Sequence, residues 1–85
     1  MNIIAVDDES DALWCIEQAI RIAVPGCDLK TFRQPKEALE YAKWNFVTVA
    51  FLDIEMRGMS GLDLALRLKE INPKTNQYYI CNRLF

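Results

Sequence analysis

Hydrophobic and polar positions along the chain form short apolar runs that alternate with longer stretches of helical spacing. Residues 2–6 are an apolar run that stops at three consecutive acids, which is typical of a strand buried on both faces. Apolar side chains then recur at helical spacing over residues 13–23, with Ser10 or Asp11 as the expected N-cap. A Pro-Gly pair at 25–26 should end this helix.

The same alternation of strand and helix follows a second time. Residues 27–32 alternate apolar and polar side chains, as expected of an edge strand, and a helix should begin at Pro35 and end before Trp44. Residues 46–52 are the most strand-like stretch of the chain, and they end on an acid, Asp53. Two strands are therefore predicted to finish in carboxylates.

A loop rich in Met and Gly precedes the third predicted helix. This helix covers residues 62–71, with Ser60 and Asp63 at capping-box spacing, and residues 78–81 are expected to form a fourth strand. Strands that alternate with helices imply right-handed crossovers and a parallel sheet covered on both faces. The pattern predicts an α/β chain of about four strands and three helices, in a single domain over residues 1–85.

Composition changes this picture only by excluding several classes of protein. The chain has 85 residues, of which 52% are hydrophobic and 26% charged, as in a globular domain. The net charge is −2 with the basic side chains scattered, so no nucleic-acid contact by this chain is expected. There is no histidine, which removes the commonest general base and leaves carboxylate chemistry.

The cysteines and the lack of a long apolar run indicate a compartment. Cys15, Cys27 and Cys81 are odd in number and lack the paired spacing of a zinc site, so free thiols in a reducing compartment are expected. No run approaches the roughly 20 apolar residues that span a bilayer. We expect a cytoplasmic protein without membrane contact.

The acids at the two strand ends are the candidate site. In a doubly wound sheet of order 2-1-3-4-5, ligands bind in the crevice at the carboxyl ends of strands one and three. Those strands end in Asp7-Asp8-Glu9 and in Asp53. Several carboxylates at one place favour a hard cation, and Mg²⁺ prefers such oxygen ligands. Beside the ion, Asp53 could act as a nucleophile and form an acyl phosphate.

Each of these acids also has an ordinary structural explanation. Acids after a strand often cap the next helix or lie favourably at its N-terminus, so Asp7, Asp8 and Glu9 alone would predict no site. Asp53 alone could be a turn former, Gly58 and Gly61 could be ordinary loop glycines, and the two methionines of this loop could be apolar packing residues. Only the convergence of two acidic strand ends favours a metal site.

Three sequence blocks carry a resemblance to a known family. They are IIAVDDE at 3–9, VAFLDIEM at 49–56 and GMSGLDL at 58–64. In this order and at this spacing they resemble the receiver domain of bacterial two-component response regulators, over about residues 1–77. The resemblance implies a flavodoxin-like, doubly wound parallel sheet, here incomplete. Residues 51–56 and 69–75 look most like receivers fused to DNA-binding domains of the LytTR type.

The resemblance implies a role for each acid. Asp53 would be the phosphoacceptor, and Asp7 and Asp8 would hold Mg²⁺ together with it. The backbone carbonyl of Glu55 would supply a further ligand to the metal. The phosphoryl group would come from a sensor histidine kinase, which agrees with the absence of histidine from this chain.

The end of the chain departs from the family. Receivers resembling this chain carry Thr or Ser at the end of the fourth strand and Lys at the end of the fifth, and residues 76–85 offer no match for either. Arg57 stands where proline is common. The resemblance therefore predicts a chain that is truncated or frame-shifted after about residue 77. Uncovered apolar surface would then favour a homo-oligomer, plausibly a dimer with exchanged elements.

Two alternative functions remain open at this point. The chain could be a pseudo-receiver that acts as a dimerisation or interaction module without phosphorylation. It could also be a Mg²⁺-dependent phosphohydrolase, in which Glu55, two residues after the nucleophile, would be the acid/base. The flanking blocks favour a receiver, so we expect no enzyme activity from the chain.

Overall fold

The computed structural model describes residues 1–80. Strands and helices alternate in the order β1 (Asn2–Val6), α1 (Ser10–Ala23), β2 (Asp28–Phe32), α2 (Pro35–Trp44), β3 (Val49–Asp53), α3 (Gly61–Ile71) and β4 (Asn76–Ile80). The strand pairings among these residues are parallel, and the sheet order is β2-β1-β3-β4. The predicted flavodoxin-like α/β class, with four strands and three helices, is confirmed.

The sheet buries apolar side chains on both of its faces because alternate residues of a strand point in opposite directions. Ile4 and Val6 of β1 face the layer of α2 and α3, where they pack with Leu64 and Leu68. Ile3 and Ala5 of the same strand face α1, in a second core that includes residues of the sheet and of the helix. Among them are Leu13, Ile20 and the half-buried Phe51. β1 is therefore a central strand, as its continuous apolar run predicts.

β3 begins later than its hydrophobic run indicates. Residues 46–52 were the expected strand, but the structure has β3 at Val49–Asp53. Phe46 is 60% exposed, and its carbonyl accepts a hydrogen bond from Asn2 Nδ2 at 2.8 Å. Thr48 still hydrogen-bonds the backbones of Asn2 and Asn76, but the paired residues of the strand begin at Val49. Apolar character alone therefore overestimated the length of the strand.

The two outer strands also differ slightly from expectation. β2 starts at Asp28, one residue after the predicted start, and lies at a sheet edge as predicted. β4 starts at Asn76, two residues before the predicted start, because Asn76 and Gln77 pair with Val49 and Ala50. The predicted end of this strand at Cys81 lies outside the described residues.

Capping of the helices follows the sequence in one case and not in the other. Ser60 is the N-cap of α3, and its hydroxyl accepts a hydrogen bond from the Asp63 N–H at 3.2 Å, as predicted. The prediction of Ser10 or Asp11 as the cap of α1 is wrong. Ser10 is already the first residue of the helix. The N-cap residue is therefore Glu9, and it makes no side-chain cap bond.

None of the helices within residues 1–80 is long and apolar enough to cross a membrane. The longest, α1, has 14 residues, whereas a spanning helix needs roughly 20.

Candidate metal centre

The adjacent strands β1 and β3 bring the candidate acids to one edge of the sheet. The two strands are parallel and in register, with Val6 opposite Leu52. Asp7 follows β1 directly, and Asp53 is the last residue of β3. Both side chains are buried, with exposed fractions of 1% and 3%. The sheet therefore positions two carboxylates side by side where parallel strands end.

Three of the predicted acids meet there. Asp7, Asp8 and Asp53 each offer one carboxylate oxygen, and these oxygens lie within 4.8 Å of one another. We refer to these three residues as the carboxylate cluster. Glu9 is not part of it, since its side chain is exposed at the cleft beyond. Its backbone N–H donates to Asp7 Oδ1 at 2.9 Å and so orients that carboxylate.

The electrostatics of the cluster favour a bound cation. The pKa of Asp7 is raised from 3.8 to about 6, chiefly because the carboxylate is buried. The hydrogen bond from the Glu9 N–H opposes this shift, whereas the negative charges of Asp53 and Asp8 add to it. The chain thus holds like charges together in a buried place, where a divalent ion would relieve their repulsion.

A polar cleft of about 1000 Å³ lies beside the cluster and opens to solvent. Asp8 and Glu55 both line it. The resemblance implied that the backbone carbonyl of Glu55 is a further metal ligand, and this stays a prediction. Arg33 and Arg57 are the cationic lining residues among those described, and no lysine lines the cleft within residues 1–80. The Arg57 backbone N–H donates to Asp8 Oδ2 at 3.0 Å, a contact that sequence reasoning did not foresee.

Gly61, the first residue of α3, touches the main chain that carries Asp53. Its N–H donates to the Ile54 carbonyl at 2.9 Å. A Cβ added to Gly61 would overlap the carbonyl oxygen of Asp53 and crowd the Ile54 Cα. Sequence reasoning treated this residue as an ordinary loop glycine. The available signal was a glycine directly after the helix cap Ser60, where a better helix former is usual.

Strand β4, which pairs with β3, has an isoleucine opposite Asp53. Ile80 of β4 is opposite Asp53 in the parallel register, and its carbonyl accepts a hydrogen bond from the Ile54 N–H at 3.3 Å. The position that follows, Cys81, lies outside the described residues. The departure from the Thr or Ser of the family, expected within residues 76–85, therefore stays a prediction.

The sequence profile of the response regulator receiver domain family matches residues 3–82, five residues past the expected end of the resemblance. A curated relative is the cyclic di-GMP phosphodiesterase response regulator RpfG of Xanthomonas campestris pv. campestris. It is 32% identical over 71 residues, which cover 84% of this chain and 19% of the relative. The chain thus spans about a fifth of the length of that protein.

Solved structures share the fold. The response regulator protein TrrA of Thermotoga maritima, solved in complex with Mg(2+)-BeF, superposes with a TM-score of 0.86 at 24% identity, over 98% of this chain and 70% of TrrA. The complex of histidine kinase ThkA with TrrA gives a TM-score of 0.83 at 24% identity, over 99% of this chain and 71% of the matched chain. With the family profile covering nearly the whole sequence, this chain belongs to the response regulator receiver domain family.

Proposed function

We propose that this receiver domain is a phosphoacceptor, in which Asp53 takes a phosphoryl group from a partner histidine kinase in a Mg²⁺-dependent reaction. The observation that carries the proposal is the carboxylate cluster, where three acids lie within 4.8 Å of one another at the ends of adjacent strands. Buried like charges cost free energy unless a counter-charge compensates them. A function that uses a bound cation best explains why the fold brings these three acids together.

The donor set of the cluster fits Mg²⁺. This ion prefers octahedral oxygen ligation and is usually held by one or two carboxylates, waters and a substrate phosphate. Asp7, Asp8 and Asp53 would hold it, with the backbone carbonyl of Glu55 as a further donor. The bound ion would neutralise negative charge on the incoming phosphoryl group. The complex of the similarly folded TrrA with Mg(2+)-BeF supports this assignment.

Asp53 would act as the nucleophile. One of its Oδ atoms forms a new O–P bond, while the bond between phosphorus and the imidazole nitrogen of the donor breaks and leaves its electron pair on that nitrogen. The carboxylate is 3% exposed, so surrounding residues keep most water away from it. β4 and Gly61 contact the main chain at Asp53 and Ile54, which holds the nucleophile in place.

A sensor histidine kinase is the proposed partner. The similarly folded TrrA has been solved in complex with the histidine kinase ThkA, which supports a kinase as the donor for this chain. We place the reaction in the cytoplasm, since Cys15 and Cys27 are both free thiols. We also assign the chain to receivers of the LytTR type, from residues 51–56 and 69–75. Sequencing of the encoding locus would test that assignment, since it predicts a LytTR domain downstream.

A second candidate function is a pseudo-receiver that binds partners without phosphorylation. Ile80, in register with Asp53, offers no hydroxyl to a phosphoryl group. No lysine among residues 1–80 lines the cleft beside the cluster. A domain with this site could hold a cation and still not stabilise a phosphorylated state. The phosphorylation experiment below separates the two functions.

We further propose that the chain forms a homodimer through β4, by edge pairing or by exchange of elements. Within residues 1–80, β4 pairs with β3 on one side and with no described strand on the other. Tyr78 and Tyr79 on this strand are 56% and 47% exposed. A free edge pairs readily with another strand, and two copies related by a two-fold axis present matching backbone groups. A monomer mass at all concentrations in sedimentation equilibrium would contradict this proposal.

The phosphoacceptor role is tested by intact mass after incubation with Mg²⁺ and acetyl phosphate. We expect one phosphoryl adduct, which is lost when EDTA replaces Mg²⁺ and is absent from the Asp53→Asn variant. Asp28→Asn is the matched control, since Asp28 is exposed at the opposite end of the sheet and should leave the adduct intact.

Three other results would redirect the proposal. A folded chain that takes up no phosphoryl group, but binds a kinase, would favour the pseudo-receiver. An adduct that persists in Asp53→Asn would place the modification on another residue. Steady release of product from p-nitrophenyl phosphate, dependent on Glu55, would indicate a phosphohydrolase, whereas we propose that the chain is not an enzyme that turns over such substrates.

A further inference from the structure

Arg33 lies at the same edge of the sheet as the two buried acids of the carboxylate cluster. Phe32, the last residue of β2, is in register with Val6 of β1, and the Asp7 N–H donates to the Phe32 carbonyl at 3.1 Å. Arg33 therefore follows β2 where Asp7 follows β1, and Asp53 ends β3 on the other side of Asp7. Because neighbouring strands lie about 4.8 Å apart, the Arg33 backbone is about 10 Å from that of Asp53.

The guanidinium of Arg33 lies beside the loop that carries Asp8. Its Nη2 donates to the Asp8 backbone carbonyl at 3.4 Å, and both residues line the polar cleft. The ion pairs within residues 1–80 involve Arg21 and Lys43, so no described carboxylate forms an ion pair with Arg33. A guanidinium has five N–H donors in a planar fork that matches the oxygens of a phosphate. One bond to a carbonyl leaves most of these donors available to a ligand in the cleft.

The charges of the cleft make a cation there valuable to an incoming phosphodonor. The lining residues that carry a carboxylate are Asp8, Glu9, Glu37 and Glu55. A phosphoryl group is itself anionic, so these acids repel it as it approaches Asp53. The two lining arginines oppose that repulsion. Arg33 touches the loop of Asp8 with its guanidinium, whereas the bond from Arg57 to Asp8 is made by the backbone N–H.

We propose that the Arg33 guanidinium binds the phosphoryl group of the incoming donor in the cleft, before transfer to Asp53. It supplies positive charge and directed hydrogen bonds at a place where the other neighbouring side chains are mostly acidic. Asp53 and the metal ion carry out the transfer itself, so Arg33 favours capture of the donor and is not required for the reaction. The inference rests on the proposed function, because it assumes that Asp53 is phosphorylated.

The test follows the Asp53 adduct over time by intact mass, at a series of acetyl phosphate concentrations and saturating Mg²⁺. In Arg33→Gln, the acetyl phosphate concentration that gives half of the maximal rate should rise about three- to tenfold, since one charge-assisted contact to the donor is lost. The maximal rate should change little, because the carboxylate cluster is intact. Arg33→Lys keeps the charge without the planar fork, so its half-saturating concentration should lie between those of the wild type and Arg33→Gln.

Two controls separate donor binding from other effects of the substitution. Arg21→Gln removes the same charge from the last turn of α1, at the far end of that helix from the cluster, and should leave the half-saturating concentration unchanged. Isothermal titration with Mg²⁺ tests whether Arg33 only supports the loop of Asp8. Loss of such support would weaken Mg²⁺ binding, whereas loss of a nearby positive charge should leave the affinity of Arg33→Gln for Mg²⁺ equal to that of the wild type or raise it.

Each result decides a different point. Equal half-saturating concentrations in the wild type and Arg33→Gln would overturn the inference and leave the phosphoacceptor role standing. Weaker Mg²⁺ binding by Arg33→Gln would assign Arg33 a structural role at the loop and also overturn it. An equal rise in Arg21→Gln would reduce the effect to net charge, with the same consequence. No adduct on the wild type would defeat the proposed function itself, and the inference with it.

Discussion

Gly61 lies so close to Asp53 that a side chain on the glycine would overlap the aspartate carbonyl. The first residue of α3 thus rests on the last residue of β3, and the Gly61 N–H donates to the carbonyl of Ile54, the residue that follows Asp53. The docking of the helix and the position of the candidate phosphoacceptor are therefore one structural feature. A substitution at Gly61 should therefore displace the Asp53 backbone.

Gly61→Ala should destabilise the chain by about 2–4 kcal/mol. The added methyl meets main-chain atoms of β3, which cannot move aside as a flexible side chain could, so α3 or the strand must shift. The free energy of unfolding in urea measures the effect. The same variant should reduce the Asp53 adduct in the acetyl phosphate experiment, since the nucleophile moves with its backbone.

Gly26→Ala is the matched control for this substitution. Gly26 has φ of 80°, and a Cβ there would meet no atom within 4 Å, so its cost of about 1 kcal/mol is conformational only. Similar losses of stability in the two variants would show that Gly61→Ala has only a conformational cost. The added methyl group would then not collide with the Asp53 main chain.

Ser60→Ala should lower the free energy of unfolding by about 1 kcal/mol, because the Asp63 N–H at the start of α3 loses its acceptor. Ser10→Ala provides the comparison, since Ser10 is the first residue of α1 and that helix has no side-chain cap bond. We expect Ser10→Ala to change stability by less than about 0.5 kcal/mol. Equal effects at the two serines would contradict the capping arrangement.

Thr75→Val should cost about 1–3 kcal/mol of stability. Thr75 is 2% exposed, and its hydroxyl donates to the Val47 carbonyl at 2.7 Å. Valine has nearly the same shape but leaves that buried carbonyl without its donor. Thr31→Val on the exposed edge strand β2 should be nearly neutral. A neutral Thr75→Val would mean that water replaces the lost hydroxyl.

The metal-free chain should lose stability as the pH rises from about 4 to about 6, relative to Asp7→Asn. Folding raises the pKa of Asp7 from 3.8 to about 6, chiefly by burial, so the folded state holds this proton more tightly than the unfolded state. The resulting stability is fully present below the unfolded pKa and is lost as the pH passes the folded pKa. The loss should amount to about 2–3 kcal/mol.

Urea unfolding of both proteins in EDTA, at intervals across this pH range, measures that difference. Asp7→Asn carries the same shape without the titrating proton, so the shared titration of other groups largely cancels. A wild-type minus Asp7→Asn difference that stays flat between pH 4 and 6 would show that Asp7 titrates normally in the folded chain.

The sequence predicts the order of strands and helices because that order depends on local periodicity. β1 and α3 have the expected starts within a residue, and β3 ends at the acid that the pattern indicated. Local pattern is weaker at element boundaries. The apolar Phe46 lies outside β3, and the first turn of α1 begins without the serine cap that its sequence favours.

The residue types of the candidate site were likewise present in the sequence. Asp7, Asp8 and Asp53 follow two apolar runs, and a parallel sheet must bring the ends of its central strands together. The sequence by itself therefore determined that acids of these two strand ends converge, and at which edge of the sheet. It did so because strand direction is shared by all strands of a parallel sheet.

Only the tertiary structure decided which groups touch. It left the Glu9 side chain out of the cluster, pressed Gly61 on the Asp53 main chain, and joined the Arg57 N–H to Asp8. Each of these features depends on how separate elements of the fold pack, and on distances of a few tenths of an ångström. Local periodicity carries no information at that scale, because packing between elements sets it.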